Sequence, residues 1–167
     1  ETCRRKHRLP FFSQETLPFL CFLSVHMRIL SIETSCDDTA LALLEIENES
    51  IVSLKEVRGN QLPLHAKHGG VVPELAAREH ASTITPLLEQ LCEGEAKPDY
   101  IAVTAYPGLM PALLVGVQAA KTLSFLWNIP VMPVHHIEAH IFSPLLSKEA
   151  PALTSIPIPI IMLTLSS

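Results

Sequence analysis

The sequence has few charged residues and no excess of positive charge. Charged side chains make up 17% of its 167 residues and hydrophobic ones 48%, and the formal net charge is −5. This composition leaves little scope for intrinsic disorder and suits an α/β domain with a buried sheet. The negative balance argues against a protein that coats nucleic acid without specificity, but it leaves room for a local basic patch or a basic partner.

Paired cysteines and long apolar runs are also lacking. The four cysteines form no C-x-x-C pair, which argues against a disulfide framework or a zinc knuckle and favours a reducing, cytosolic setting. The apolar run Leu17–Leu23 is too short to span a bilayer and contains Pro18. Residues 1–26, with a basic stretch before this run, resemble either a targeting leader or an upstream extension of a chain that starts at Met27. We favour the upstream extension.

From Met27 onward the alternation of apolar and polar residues predicts a three-stranded antiparallel meander, with strands at 27–34, 39–46 and 51–57. The first turn of this meander can present N–H and hydroxyl groups to a phosphate, while its carboxylates hold a cation or water. A polar hairpin turn is more often only a turn, so both interpretations stay open. The polar residues concentrated there are Glu33, Thr34, Ser35, Asp37, Asp38 and Thr39.

The rest of the chain alternates helices with buried strands, which is typical of a parallel sheet. A helix is predicted from Glu74, with Pro86 either kinking it or opening a second helix. Gly108 precedes a helix start that could approach an anion through backbone N–H groups, but the Walker-type P-loop spacing is absent. The other predicted elements are a loop at 61–70, strands at 99–104, 129–134 and 158–165, and helices at 111–127 and from the histidine pair to Leu146.

Two histidines, His136 and His140, lie four residues apart and therefore on one face of a helix. Their imidazoles are close enough to share one metal ion. Pro130 and Pro133 keep the preceding residues extended, so the pair is predicted at the first turn of a helix that follows a strand, where ligands collect in α/β sheets. The H-x-x-x-H pattern also arises by chance. The peptidase motif H-E-x-x-H is absent because Ile137 follows His136.

Four sequence blocks carry a family resemblance. In chain order they are MRILSIETSCDDT at 27–39, GGVVPELAAREH at 69–80, PGLMPALLVG at 107–116 and HHIEAH at 135–140. These blocks resemble the TsaD family of tRNA threonylcarbamoyladenosine enzymes, once labelled Gcp or O-sialoglycoprotein endopeptidases. The resemblance implies an actin-like ATPase fold of the sugar-kinase and Hsp70 superfamily, in which two RNase H-like lobes enclose a nucleotide. The chain departs from the family pattern at Tyr106, where Gly is usual, and at Asp38, where Glu is more common.

The resemblance also implies a reaction and a set of site residues. The family transfers threonylcarbamoyl from threonylcarbamoyl-AMP to the exocyclic amine of the adenosine beside the anticodon, in tRNAs that read codons beginning with A. It implies that His136 and His140 are two of three protein ligands to iron or zinc. It further implies catalytic roles for Glu33 and Asp37. The residues implied for substrate and phosphate binding are Ser35 and Thr39 on the first loop and Leu165, Ser166 and Ser167 at the start of the substrate loop.

By the same resemblance, residues 27–167 form an N-terminal lobe that ends as the substrate loop begins. The second lobe, with the third metal ligand (an Asp in the family), is missing, and we expect this fragment alone to be inactive. The implied partners are tRNA, a paralogous subunit of the same fold and a small ATPase, without a membrane. The implied compartment is the cytoplasm, or an organelle if residues 1–26 are a leader. The alternatives are a non-catalytic scaffold, a kinase of the same superfamily and, disfavoured, a metallopeptidase.

Overall fold

A computed structural model describes residues 26–48 and 50–146. Its secondary structure alternates as the sequence patterns predict, with β1 beginning at His26, one residue before the expected start. The elements, in chain order, are β1 (His26–Glu33), β2 (Asp38–Glu47), β3 (Ser50–Asn60), α1 (Leu62–Ala66), α2 (Pro73–Cys92), β4 (Tyr100–Tyr106), α3 (Met110–Trp127), β5 (Val131–His135), α4 (His136–Phe142) and a 3-10 turn (Ser143–Leu146).

The strands form a five-stranded mixed sheet in the order β3-β2-β1-β4-β5. Strands β1, β2 and β3 pair antiparallel, whereas β4 pairs parallel to β1 and β5 parallel to β4. The predicted meander and the predicted parallel type of β4 are therefore confirmed. Parallel neighbours need a crossover connection, and helices α2 and α3 supply the two crossovers. The carboxyl ends of β1, β4 and β5 consequently meet at one edge of the sheet.

The two faces of the sheet differ because successive side chains of a strand point to opposite sides. One face forms the core beneath α2 and α3. The other carries small and polar side chains near the β1–β2 turn, including Ser31, Glu33 and Ala40, which line an open cavity. The buried core residues contributed by β1, β2 and β4 are Leu30, Ile32, Leu41, Leu43, Ile101 and Val103.

Helix α3 packs closely on this core because its inward face carries small residues. Ala112 and Ala120 are fully buried, and a Cβ added at Gly116 would lie 2.4 Å from Thr34 Oγ1. By length and composition alone, α3 could also cross a bilayer. Its small-residue face nevertheless lies against the sheet, and this brings the helix start directly over the β1–β2 turn.

Three predicted elements differ from the observed ones. The loop at 61–70 contains the short helix α1. Helix α2 continues through Pro86 as one helix, so the second helix that was one of the two predicted alternatives does not form. Ser82 and Pro86 both lie on the exposed face, where water can bond the carbonyl that the proline leaves without a donor. Helix α4 ends at Phe142 rather than Leu146 because Pro144 has no N–H to continue it. The predicted strand at 158–165 lies outside the described residues.

Candidate functional site

The β1–β2 turn is fixed by the start of α3. Thr34 and Ser35 are buried, the Thr34 hydroxyl donates to the carbonyl of Ala112 at 3.0 Å, and the Ser35 carbonyl accepts from the N–H of Leu109 at 2.8 Å. A Cβ at Gly108 would lie 2.6 Å from Ser35 O. Glycine therefore permits a close backbone approach at this point, but the backbone it approaches is Ser35. The Leu109 N–H is already bonded there, so it is not free for the anion that the sequence pattern suggested.

The histidine pair stands at the beginning of α4, directly after β5. The ring of His135 caps this helix, with Nδ1 accepting from the N–H groups of Ile137 at 3.2 Å and Glu138 at 3.4 Å. The Nε2 atoms of His136 and His140 are 3.1 Å apart, and the two rings are nearly perpendicular, at 88°. The two imidazoles thus point their Nε2 atoms toward each other, as the four-residue helical spacing predicted.

Glu33, at the end of β1, orients the ring of His136. The Nδ1 atom of His136 lies 3.3 Å from Glu33 Oε2 and 3.2 Å from Ser35 Oγ. Burial raises the pKa of the Glu33 carboxyl, but hydrogen bonds from Ser35 and Thr104, together with the nearby His136, outweigh burial and hold the pKa below its ordinary value. The ionised carboxylate accepts a hydrogen bond from the Nδ1–H of His136, which leaves the Nε2 lone pair of His136 facing His140.

The spacing of the two imidazoles fits shared coordination of one ion. Two ligand nitrogens at about 2.1 Å from a metal, in cis-octahedral or tetrahedral arrangement, are separated by about 3.0 to 3.4 Å. The observed 3.1 Å between the Nε2 atoms falls in this interval. Within residues 26–48 and 50–146, no cluster of three His, Cys, Asp or Glu side chains is placed to hold an ion. The described residues therefore fit two coordination positions of a metal.

Five of the predicted site residues line one cavity of about 570 Å³. The cavity lies between the β1–β2 turn, the polar face of the sheet and the start of α4. Its apolar wall comes from β2 and β3, and Arg58 of β3 stands at its rim in an ion pair with Asp38. The predicted residues brought together here are Glu33, Ser35, Asp37, His136 and His140.

A family model described as TsaD: tRNA N6-adenosine threonylcarbamoyltransferase matches residues 53–166. The chain belongs to the TsaD family. Two curated relatives bear the same enzyme name. One, from Synechococcus sp. (strain JA-3-3Ab), is 47% identical over 125 residues and covers 70% of this chain and 34% of the relative. The other, from Anaeromyxobacter sp. (strain Fw109-5), is 46% identical over 130 residues and covers 75% of this chain and 38% of the relative. The chain spans little more than a third of the length of these TsaD proteins.

Among solved structures, YeaZ from Pseudomonas aeruginosa resembles this TsaD-family chain with a TM-score of 0.52 at 18% identity, covering 71% of this chain and 49% of YeaZ. A second Pseudomonas aeruginosa structure, described as similar to peptidase YEAZ, gives a TM-score of 0.50 at 18% identity. The match covers 73% of this chain and 49% of that structure. At this identity the likeness concerns the fold alone. What the chain shares with them is the mixed sheet flanked by helices, which agrees with the lobe that the TsaD resemblance implied.

Thr39, predicted on the phosphate side of the TsaD site, lies on the opposite face of the sheet. It is fully buried and does not line the cavity. Since side chains alternate along β2, the neighbouring Asp38 faces the cavity while Thr39 faces α2. The Thr39 side chain therefore does not reach this cavity, and its predicted role at the substrate stays a prediction. Leu165, Ser166 and Ser167 lie outside the described residues.

The partner of Thr39 is His80 of α2, which the sequence reasoning missed. The His80 ring is fully buried, with Nδ1 2.7 Å from the Thr39 hydroxyl and Nε2 3.1 Å from the Cys36 carbonyl. Burial lowers the pKa of His80, so the ring is neutral. The sequence does indicate that His80 is buried, because Ala76, His80 and Ile84 recur every four residues on the buried face of α2. A polar side chain on such a stripe needs a hydrogen-bond partner.

We expect Glu33→Gln to weaken metal binding by the full-length protein on the order of tenfold to a hundredfold, as is usual when the carboxylate supporting a metal-binding histidine is changed. The neutral amide no longer fixes the Nδ1 proton of His136. Chelator competition with Zn²⁺ measures the affinity. Glu56→Gln, on the same cavity wall but without a contact to either histidine, is the matched control. Equal affinities for the two variants would contradict the orienting role.

Proposed function

We propose that this chain, as part of a full-length TsaD-family protein, transfers threonylcarbamoyl from threonylcarbamoyl-AMP to the exocyclic amine of the adenosine beside the anticodon, in tRNAs that read codons beginning with A. In this proposal residues 27–167 belong to the N-terminal lobe, and the lobe alone is inactive. The observation that carries it is the convergence of the His136 and His140 Nε2 atoms, 3.1 Å apart, on the cavity that the β1–β2 turn lines.

The proposed chemistry divides the work among the residues around the cavity. His136 and His140 would hold a divalent iron or zinc ion, which would supply Lewis-acid polarisation of the activated carbamoyl group. Glu33 already accepts hydrogen bonds from Ser35, Thr104 and His136, so its part is to orient the His136 ring. The Asp37 carboxylate lines the same cavity and would accept the proton of the attacking amine. As the amine bonds to the carbamoyl carbon, the bond from that carbon to the phosphate oxygen breaks and AMP leaves.

Two other chemistries are disfavoured by the same residues. Cys36 lines the cavity, but partial desolvation first, and the neighbouring Asp37, raise the pKa of its thiol, so it is a poor nucleophile at neutral pH. A metallopeptidase needs a glutamate general base beside the first histidine. Ile137 occupies that position, and Glu138 is exposed and does not line the cavity.

The partners and compartment follow from family membership as further parts of the proposal. We propose tRNA as the nucleic-acid substrate, which is the substrate that the relatives' names give. A paralogous subunit of the same fold and a small ATPase complete the proposed complex, which works without a membrane. We propose the cytoplasm as its compartment, or an organelle if residues 1–26 act as a leader.

The direct test supplies the full-length, metal-loaded protein and its partner subunits with threonylcarbamoyl-AMP and a tRNA transcript that reads codons beginning with A. Mass spectrometry of the digested nucleosides should detect threonylcarbamoyladenosine. A transcript that reads codons beginning with another base is the control and should stay unmodified. Absence of product from the first transcript overturns the proposal. ATP-dependent phosphorylation of a small molecule would favour a kinase, and a folded protein that binds no metal would favour a scaffold.

A further inference from the structure

His80 connects helix α2 to the β1–β2 turn by a hydrogen bond, and this turn lines the cavity. It lies in α2, beneath the core face, and its Nε2 atom is 3.1 Å from the carbonyl oxygen of Cys36. Cys36 and Asp37 themselves line the cavity on the other side. The carbonyl of Cys36 therefore points away from the cavity and into the domain, where His80 receives it.

The orientation of this carbonyl fixes the next N–H group. The carbonyl of Cys36 and the N–H of Asp37 belong to one planar trans peptide, so they point in opposite directions. With the carbonyl held by the buried His80, the N–H of Asp37 is turned toward the cavity. If this peptide could rotate freely, the N–H would not be held toward the cavity. It would then bind a ligand oxygen no more strongly than water does.

The protonation of His80 is dictated by a buried chain of hydrogen bonds. The Val72 N–H can only donate, so His65 Nδ1 accepts from it at 3.4 Å and His65 Nε2 carries the proton. His65 Nε2 then donates to Gln61 Oε1 at 3.1 Å, which directs the Gln61 amide nitrogen to His80 Nδ1 at 3.2 Å. His80 Nδ1 is thereby an acceptor, and His80 Nε2 must be the donor to Cys36. Since His65 and Gln61 are also buried, water does not compete for these bonds.

We propose that His80 is a positioning residue, which holds the Cys36–Asp37 peptide so that the Asp37 N–H donates to an anionic phosphate oxygen of the adenylate in the cavity. This inference rests on the proposed function, because the adenylate is the ligand of that function. It assigns His80 a role although its side chain never touches the substrate. It also explains why a histidine is buried at this point of α2, where an apolar residue would fill the space.

Two substitutions of His80 separate the hydrogen bond to Cys36 from the one to Thr39. His80→Gln places an amide N–H near the position of Nε2 and keeps a donor to Cys36. His80→Asn reaches only the position of Nδ1, so it keeps a contact with Thr39 and loses the donor to Cys36. Calorimetry on the full-length protein compares AMP, which carries a phosphate, with adenosine, which does not.

We expect His80→Asn to weaken AMP binding on the order of tenfold to a hundredfold, the usual effect of losing a hydrogen bond to a charged group. Adenosine binding should change by less than about threefold, and His80→Gln should restore AMP binding to within about threefold of the unmodified protein. Parallel weakening of both ligands in His80→Asn would indicate a merely structural residue and overturn the inference. Unchanged AMP binding in His80→Asn would overturn it as well.

A second measurement needs no substitution and so does not depend on how the variants fold. In full-length protein labelled with ¹⁵N-aspartate, AMP should shift the Asp37 amide proton downfield, whereas adenosine should leave it in place. An Asp37 amide that responds equally to both ligands overturns the inference. A protein that shows the AMP-specific shift but modifies no tRNA would overturn the proposed function and keep the role of His80. If neither ligand binds, both proposals fall.

Discussion

Replacing either His136 or His140 by alanine in the full-length protein should abolish metal retention and threonylcarbamoyl transfer while leaving the domain folded. Each imidazole supplies one of two Nε2 atoms that lie 3.1 Å apart, so one substitution halves the described ligand set. The loss should exceed the tenfold to hundredfold typical of changing a supporting residue. Both side chains lie outside the hydrophobic core, so the metal-free free energy of unfolding should change by about 0.5 kcal/mol or less in His140→Ala. His136→Ala should cost about 1 kcal/mol, because its ring also contacts Glu33 and Ser35.

Metal content by mass spectrometry and modified nucleoside by chromatography measure the two losses in the histidine variants. His68→Ala is the matched control, since it removes an imidazole from the exposed loop between α1 and α2. It should retain both metal and activity. Stoichiometric metal in His136→Ala, or unchanged tRNA modification in either variant, would contradict the assignment.

Gly116→Ala should destabilise the domain by about 1 to 3 kcal/mol, the usual cost of overpacking a core. The added Cβ would lie 2.4 Å from Thr34 Oγ1 and 3.4 Å from Ile32 Cγ2. Thr34 has no room to yield, because it is fully buried and bonded to the carbonyl of Ala112 in the same helix. Alanine favours a helix over glycine by about 1 kcal/mol, so the steric conflict must exceed this gain.

Urea unfolding of the full-length protein measures the loss of stability in Gly116→Ala. Gly70→Ala is the matched control, because its Cβ would meet nothing within 4 Å and its φ lies outside the left-handed region. It should change the free energy of unfolding by less than about 0.5 kcal/mol. A Gly116→Ala protein as stable as the control would show that α3 can move away from the turn.

Local periodicity was enough to predict most of the sheet and the convergence of the histidines. Alternating burial along β1 and β2 has a period of two, and the ring faces of His136 and His140 follow from a four-residue helical spacing. The two alternatives predicted at Pro86, a kink or a second helix, could not be separated this way, because the choice depends on whether the carbonyl of Ser82 reaches water. The end of α4 was missed although the sequence contains its cause, Pro144.

The site residues that lie at the ends of strands could be predicted from the sequence. The contact between β2 and α2, on the face of the sheet opposite the cavity, could not. Glu33 ends β1 and His136 follows β5, so parallel strand ends bring together two residues that are 103 positions apart. The pairing of Thr39 with His80, 41 positions away, depends on how α2 crosses the sheet. No pattern within β2 indicates that partner, so Thr39 was assigned to the substrate by resemblance.

X-ray absorption spectroscopy of the metal-loaded, full-length protein tests the central claim most directly. We expect the multiple-scattering signature of two imidazole ligands in the unmodified protein, and no protein-bound metal signal in His136→Ala. A spectrum without imidazole scattering, or one that the substitution leaves unchanged, would contradict the assignment of the ion to this histidine pair.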